Sequence, residues 1–171
     1  MSALAGSRLI LKGPNTLLDP SQQERVKSIF ATAGVAAERV TFLGWLDRGA
    51  HFEAYQGIDI ALDPFPHGGG MSTLDALWMG VPVVTFPGPT ISSRLASASL
   101  SAAGLRDFVA RDLDEYVDLA VAKASSLATL ALLRATLRGV VANSAFGDPM
   151  QYSRAIEGAY RKMWQHWCAA N

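Results

Sequence analysis

Apolar residues in this chain come in short runs that alternate between strand-like and helix-like spacing. Arg8–Lys12 (RLILK) reads as a first strand, broken by Gly13, Pro14 and Asn15. Asp19 is placed to cap the next helix, with Pro20 at its first position. Val26, Ile29 and Phe30 make that helix's apolar face, and Gly34 ends it. Val40–Leu43 is a second strand, followed by a loop from Gly44 to Gly49 and a helix in HFEAYQG. Ile58, Ile60, Ala61 and Leu62 form an apolar run of the length of a strand covered on both faces. Pro64 and Pro66 cannot continue a ladder and stop it. After three glycines a helix opens at Ser72 or Thr73, with Leu74, Leu77 and Trp78 as its inward face. Gly80 and Pro82 end it, and Val81, Val83, Val84 and Phe86 make the next strand.

The second half continues the alternation. ISSRLASASLSAAG reads as a helix from Ile91 or Ser92 to Gly104, and Phe108 and Val109 as a short last strand. Asp112 caps the following helix, with Glu115 three residues on in a capping-box-like arrangement. Leu113, Tyr116, Val117, Ala120 and Val121 are its expected buried face. A helix over 126–141 carries Leu130, Leu133, Leu137 and Val141, and Asp148 and Pro149 open a C-terminal helix. Strands alternating with helices predict an α/β chain, with a Rossmann-like parallel sheet and right-handed crossovers.

At 171 residues, half of them hydrophobic and 18% charged, the chain is expected to form one domain over 1–171 rather than a disordered segment. Fifteen basic and fifteen acidic side chains cancel, which argues against a general nucleic-acid or anionic-membrane binder. A single cysteine, Cys168, excludes an internal disulfide and fits a reducing compartment. No apolar stretch has the length of a membrane span, and MSALAGSRLILKG does not read as a signal peptide, so a cytoplasmic chain is expected.

Candidate chemistry gathers at HGGGMSTLD, from His67 to Asp75. Glycines leave the backbone free to adopt positive φ and to approach a ligand closely. A glycine turn feeding a helix N-terminus presents free N–H groups and the positive end of the helix dipole, which suits an anion. Asp75 lies on the same face and leans back toward that turn, where a carboxylate accepts from vicinal hydroxyls such as those of a ribose. Together they suggest a nucleotide, with phosphate on Gly69, Gly70, Met71 and Ser72 and ribose on Asp75. The alternative is an ordinary strand–helix turn, because the pattern is neither GxGxxG nor a P-loop. Lys12, at the carboxyl end of a strand, reads either as a diphosphate contact or as a solvated lysine.

GGGMSTLDALWMGVPVVTFPG, followed by SRLASASLSAAGL, resembles the C-terminal half of the catalytic region of O-GlcNAc-transferase-like (SPINDLY-type) glycosyltransferases. LGW at 43–45, DIALDPFP at 59–66 and the tail YRKMWQHW extend the resemblance over nearly the whole chain. It implies a GT-B fold, of which this chain is similar to the C-terminal, donor-binding domain. It further implies transfer of a sugar, by analogy N-acetylglucosamine, from UDP-sugar to a protein Ser or Thr, without a metal or other cofactor. The loop through Leu46 would read the base with backbone groups, and Arg48 and His51 would hold the nucleoside. Arg48 stands where human-type members carry lysine, and Met71 replaces a usual threonine on the phosphate turn. His67 is placed either near the sugar or diphosphate or as a polar loop residue; Arg94 reads either as a contact to the diphosphate or acceptor or, preferably, as structural, paired with a core carboxylate. No general base is apparent. Implied partners are an acceptor protein, an N-terminal catalytic domain, onto which 148–171 would pack, and upstream tetratricopeptide repeats. Other readings are a catalytically silent nucleotide-binding or interaction module, and another GT-B enzyme such as a nucleotide-sugar epimerase or lipid-linked-sugar transferase.

Overall fold

A computed structural model of the chain describes residues 1–170. The residues that the sequence reading takes as one domain gather into two compact units, Met1–Gly57 and Ile58–Asn171.

In the first unit, β1 (Leu9–Lys12) and β2 (Val40–Leu43) pair in parallel, Leu9 opposite Val40 and Lys12 opposite Leu43. The connection carries α1 (Pro20–Thr32), capped as the sequence predicts. The Asp19 carboxylate accepts from the Ser21 amide at 2.8 Å. Bonds from the Ser21 hydroxyl and amide hold this carboxyl below the ordinary range. Gly34 takes φ +72°, a conformation that glycine adopts without strain, and closes the helix. Ile29, expected on the buried face, is 59% exposed. At Gly44 the chain passes close to the turn after β1: a Cβ there would lie 2.6 Å from Asn15 Oδ1 and 2.7 Å from Leu18 Cδ1. Asn15 in turn accepts from the Trp45 amide. This close approach accounts for the glycine of LGW. Asp47 accepts from the Ala50 amide and caps α2 (Arg48–Ala54).

In the second unit, β3 (Ala61–Leu62) and β4 (Val83–Val84) pair in parallel, and Thr85 bridges Val109. These ladders are shorter than the apolar runs suggest. Of the run from Ile58 to Leu62 only Ala61 and Leu62 pair, and of the run from Val81 to Phe86 only Val83 and Val84; Pro82 has no N–H to donate, though its carbonyl accepts from the Ala61 amide. Phe108, expected in a strand, closes a 3₁₀ turn over Arg106–Phe108. The core is built from Leu77, Val81, Val84, Leu100, Phe108 and Leu137, all nearly or fully buried. Leu77 belongs to α3 (Met71–Trp78), Leu100 to α4 (Leu95–Ala102) and Leu137 to α6 (Leu127–Ala142).

Several predicted faces are displaced. In α3 the buried residues are Thr73, Ala76 and Leu77, while Trp78 is 40% exposed under the guanidinium of Arg138. In α5 (Leu113–Ala124) Tyr116 is buried, but Leu113 and Val117 are exposed. Asp112 caps α5, and Glu115 reaches past it to accept from the Arg111 amide and guanidinium. That pairing holds the Glu115 carboxyl below its usual value. α7 (Pro149–Ala170) buries no residue. Trp164 and Trp167 stack on one another at 5.4 Å between centroids. Among the described residues no single helix is long and apolar enough to cross a membrane; α5 and α6 pass only together, bent by 90°.

Candidate nucleotide-sugar site

The turn between β3 and α3 is organised around Asp63, which the sequence reading passed over. This residue is 5% exposed. Its Oδ1 accepts from the Gly69 amide at 2.6 Å and its Oδ2 from the Thr85 hydroxyl at 2.7 Å. The backbone carbonyl of Asp63 accepts from the Tyr116 hydroxyl at 2.9 Å. Burial pushes the Asp63 carboxyl up, against the opposing pull of the Thr85 and Gly69 bonds and the nearby His67. Burial, together with Asp63, pushes the Tyr116 phenol up to about 12. Phe65 packs edge-on against Tyr116 and Phe86 and closes the apolar side of the turn.

The glycines serve a different purpose from the one expected. None of Gly68, Gly69 and Gly70 has a positive φ. What Gly68 and Gly69 provide is room. A Cβ on Gly69 would lie 2.7 Å from Thr73 Oγ1, 2.8 Å from Ser72 Oγ and 3.0 Å from Asp63 Oδ1. One on Gly68 would lie 2.9 Å from Asp63 Oδ2. A detectable signal was present: an acidic residue ending an apolar strand, just before a glycine run, is a carboxylate in search of buried donors.

Gly70, not Ser72 or Thr73, caps α3, without a side-chain cap bond. Its carbonyl accepts from the Thr73 and Leu74 amides. The Gly69 amide is turned inward to Asp63, while those of Gly70 and Met71 donate to no acceptor among the described residues. Met71 is 71% exposed, and Ser72 and His67 are also on the surface. Asp75 borders a cavity of about 190 Å³ with Leu74, Trp78, Val141, Phe146 and Gly147. The residues at 141–147 were not anticipated as neighbours of Asp75. Arg94 is exposed, and its Nε–H donates to the Gly88 carbonyl at 2.9 Å rather than to a core carboxylate.

The first unit holds the other candidates. Leu46 lies in the loop after β2, and Arg48 and His51 lie on α2 itself. The Arg48 guanidinium sits 5.8 Å from the Phe52 ring centroid. The His51 ring is half-buried, 5.4 Å from Phe52 and 5.3 Å from Tyr55. A hollow of this unit, open and about 570 Å³, is lined by Asn15, Thr16, Leu18, Asp19, Ser21 and Gln22 and includes none of the three. Among the described residues no group of His, Cys, Asp or Glu is arranged to hold a metal ion.

Parallel strands, crossover helices and a glycine turn leading into α3 make this an α/β chain of Rossmann-like type. It belongs to Glycosyl transferase family 41, whose family model matches residues 14–156. It is 38% identical to the probable UDP-N-acetylglucosamine–peptide N-acetylglucosaminyltransferase SPINDLY of Solanum lycopersicum, over 98% of this chain and 18% of that protein. The Caenorhabditis elegans UDP-N-acetylglucosamine–peptide N-acetylglucosaminyltransferase is 29% identical over 85% of the chain and 13% of the relative. Among solved structures, a mutant of the Thermobaculum terrenum O-GlcNAc transferase superposes with a TM-score of 0.84. It is 38% identical, over 95% of this chain and 31% of that one. The chain thus spans about a fifth of the plant relative and a third of the solved transferase.

Proposed function

We propose that this chain is the donor-binding part of a transferase that moves N-acetylglucosamine from UDP-N-acetylglucosamine to Ser or Thr of an acceptor protein. The diphosphate lies against the Gly70, Met71 and Ser72 amides, at the positive end of α3. Asp75 accepts from the ribose hydroxyls, and Leu46, Arg48 and His51 serve the nucleoside. Gly69 contributes space rather than a contact, since its amide is donated to Asp63. Met71 brings no hydroxyl, so the turn relies on backbone donors. As UDP departs, fixed N–H groups and basic side chains stabilise its charge, with no metal required. An N-terminal catalytic domain, upstream tetratricopeptide repeats and a cytoplasmic setting complete the reading.

The observation that carries it is the juxtaposition on α3 of outward amides at the first turn and a carboxylate at Asp75 opening on a cavity. Calorimetric titration with UDP tests it. Asp75→Ala removes hydrogen bonds to a charged acceptor and is expected to weaken binding by about tenfold or more; His51→Ala is expected to weaken it less. A UDP isotherm unchanged in Asp75→Ala overturns the reading. So does the absence of binding by the folded chain both alone and joined to the upstream half.

A further inference from the structure

We propose that Asp63 is the positioning residue of the phosphate turn, and that nucleotide binding there is coupled to uptake of a proton by its carboxylate. The inference rests on the reading of the α3 N-terminus as the diphosphate site.

The geometry supports the first half. The carboxylate is fixed from two sides, by Gly69 on the turn and by Thr85 at the end of β4, and its own backbone is held by Tyr116 on α5. Gly68 and Gly69 wrap it so closely that neither has space for a Cβ. Drawing the Gly69 amide inward leaves the next two amides, of Gly70 and Met71, as the outward donors. The direction in which the turn presents its N–H groups therefore depends on a residue that the ligand does not touch.

Electrostatics supports the second half. An ionised carboxylate has about four acceptor positions, and the buried Asp63 carboxylate has two donors, the Gly69 amide and the Thr85 hydroxyl. The titratable groups that face it are His67 on its own turn and Tyr116 on α5. Charge on the His67 imidazole favours the ionised carboxylate, and Tyr116 stays neutral until about 12. Thr85, directly after β4, and the Ser92 carbonyl ahead of α4 carry no charge. A diphosphate docking on the turn brings negative charge toward a buried negative charge. Transfer of one proton from solvent to an Asp63 oxygen removes the repulsion, and the acid then donates to the Thr85 hydroxyl. Asparagine at 63 mimics that state: its oxygen accepts from Gly69 and its NH₂ donates to Thr85.

The test uses the chain labelled with ¹⁵N-glycine, whose 15 glycines give a tractable set of amide signals. The Gly69 proton, donated to a carboxylate, is expected far downfield, moving upfield as Asp63 is protonated. UDP is expected to raise the pH midpoint of that movement. Asp63→Asn is expected to bind UDP about threefold to tenfold more tightly than wild type at neutral pH, with little pH dependence. Asp63→Ala is expected to bind about tenfold more weakly; if it is unfolded, the asparagine variant decides alone. Weaker binding by Asp63→Asn, or a midpoint that UDP binds without moving, overturns the proposal. A Gly69 proton at an ordinary shift throughout also overturns it. A downfield, pH-responsive Gly69 proton in a chain that binds no UDP supports Asp63 as the anchor of the turn and places the failure in the donor-site reading.

Discussion

Gly69→Ala puts the account of the glycine turn at risk without reference to any ligand. The new methyl group would lie 2.7 Å from Thr73 Oγ1, 2.8 Å from Ser72 Oγ and 3.0 Å from Asp63 Oδ1. The two hydroxyls can rotate away. Asp63 cannot retreat without stretching its bond to Thr85, which is fully buried. Overpacking of this kind costs about 1 to 3 kcal/mol. Lengthening the Gly69–Asp63 bond forfeits part of a charge-assisted interaction worth about 1.5 to 3 kcal/mol. A total of about 2 to 4 kcal/mol corresponds, for a chain of this size, to a melting temperature lower by about 5 to 15 °C. Thermal denaturation followed by circular dichroism measures it. Gly158→Ala is the control: it lies in α7 with nothing within 4 Å of a built Cβ, and relief of a helical glycine stabilises by about 0.5 to 1 kcal/mol. A Gly69→Ala protein melting within about 1 °C of wild type would refute the claim that space is what this glycine supplies.

Gly80→Ala forces a non-glycine residue to φ +79° with its Cβ 2.7 Å from the Arg134 carbonyl, and a loss of about 2 kcal/mol or more is expected in urea denaturation. Tyr116→Phe leaves the buried Asp63 carbonyl without its hydroxyl donor, for a loss of about 1 to 2 kcal/mol. An alkaline absorbance titration should also lose a phenol that ionises at about 12 in wild type. For Asp63 the folded carboxyl is pushed up, so its stabilising contribution is present below the ordinary aspartate value and is lost as pH rises through the raised one. The stability of Asp63→Asn relative to wild type should therefore grow across that window and level off above it; a difference that stays flat in urea titrations from acid to neutral pH contradicts the assignment.

The readability of this chain follows a physical division. Helix ends are legible where they are local: Asp19 and Asp112 cap as expected, and Gly34, Gly80 and Gly104 take the positive φ that closes a helix. Helix faces were less so. Spacing marks Ile29, Trp78, Leu113 and Val117 as apolar, but which side meets a partner is decided by tertiary packing, and all four are substantially exposed. Strand lengths are overread because apolar character marks more residues than pair: Ile58 and Ile60 precede β3, and Val81 is cut off from β4 by Pro82. Around the turn, Asp75 is legible as a candidate from its place on a helix, whereas Asp63 is not. Its role depends on Gly69, six residues on, and Thr85, 22 residues on, and no periodicity links such positions.

The three glycines are not equivalent for anyone rebuilding this turn. Positions 68 and 69 are closed by the carboxylate beneath them, whereas a Cβ at Gly70 would meet only Leu95 Cδ1, at an ordinary 3.6 Å. Of the three, position 70 is therefore the one with room for a side chain, and a hydroxyl, imidazole or ammonium grafted there would stand next to the Gly70 and Met71 amides and alter which anions the turn prefers, provided the backbone turns from its present φ −112°, ψ −91° to a conformation that L-residues favour.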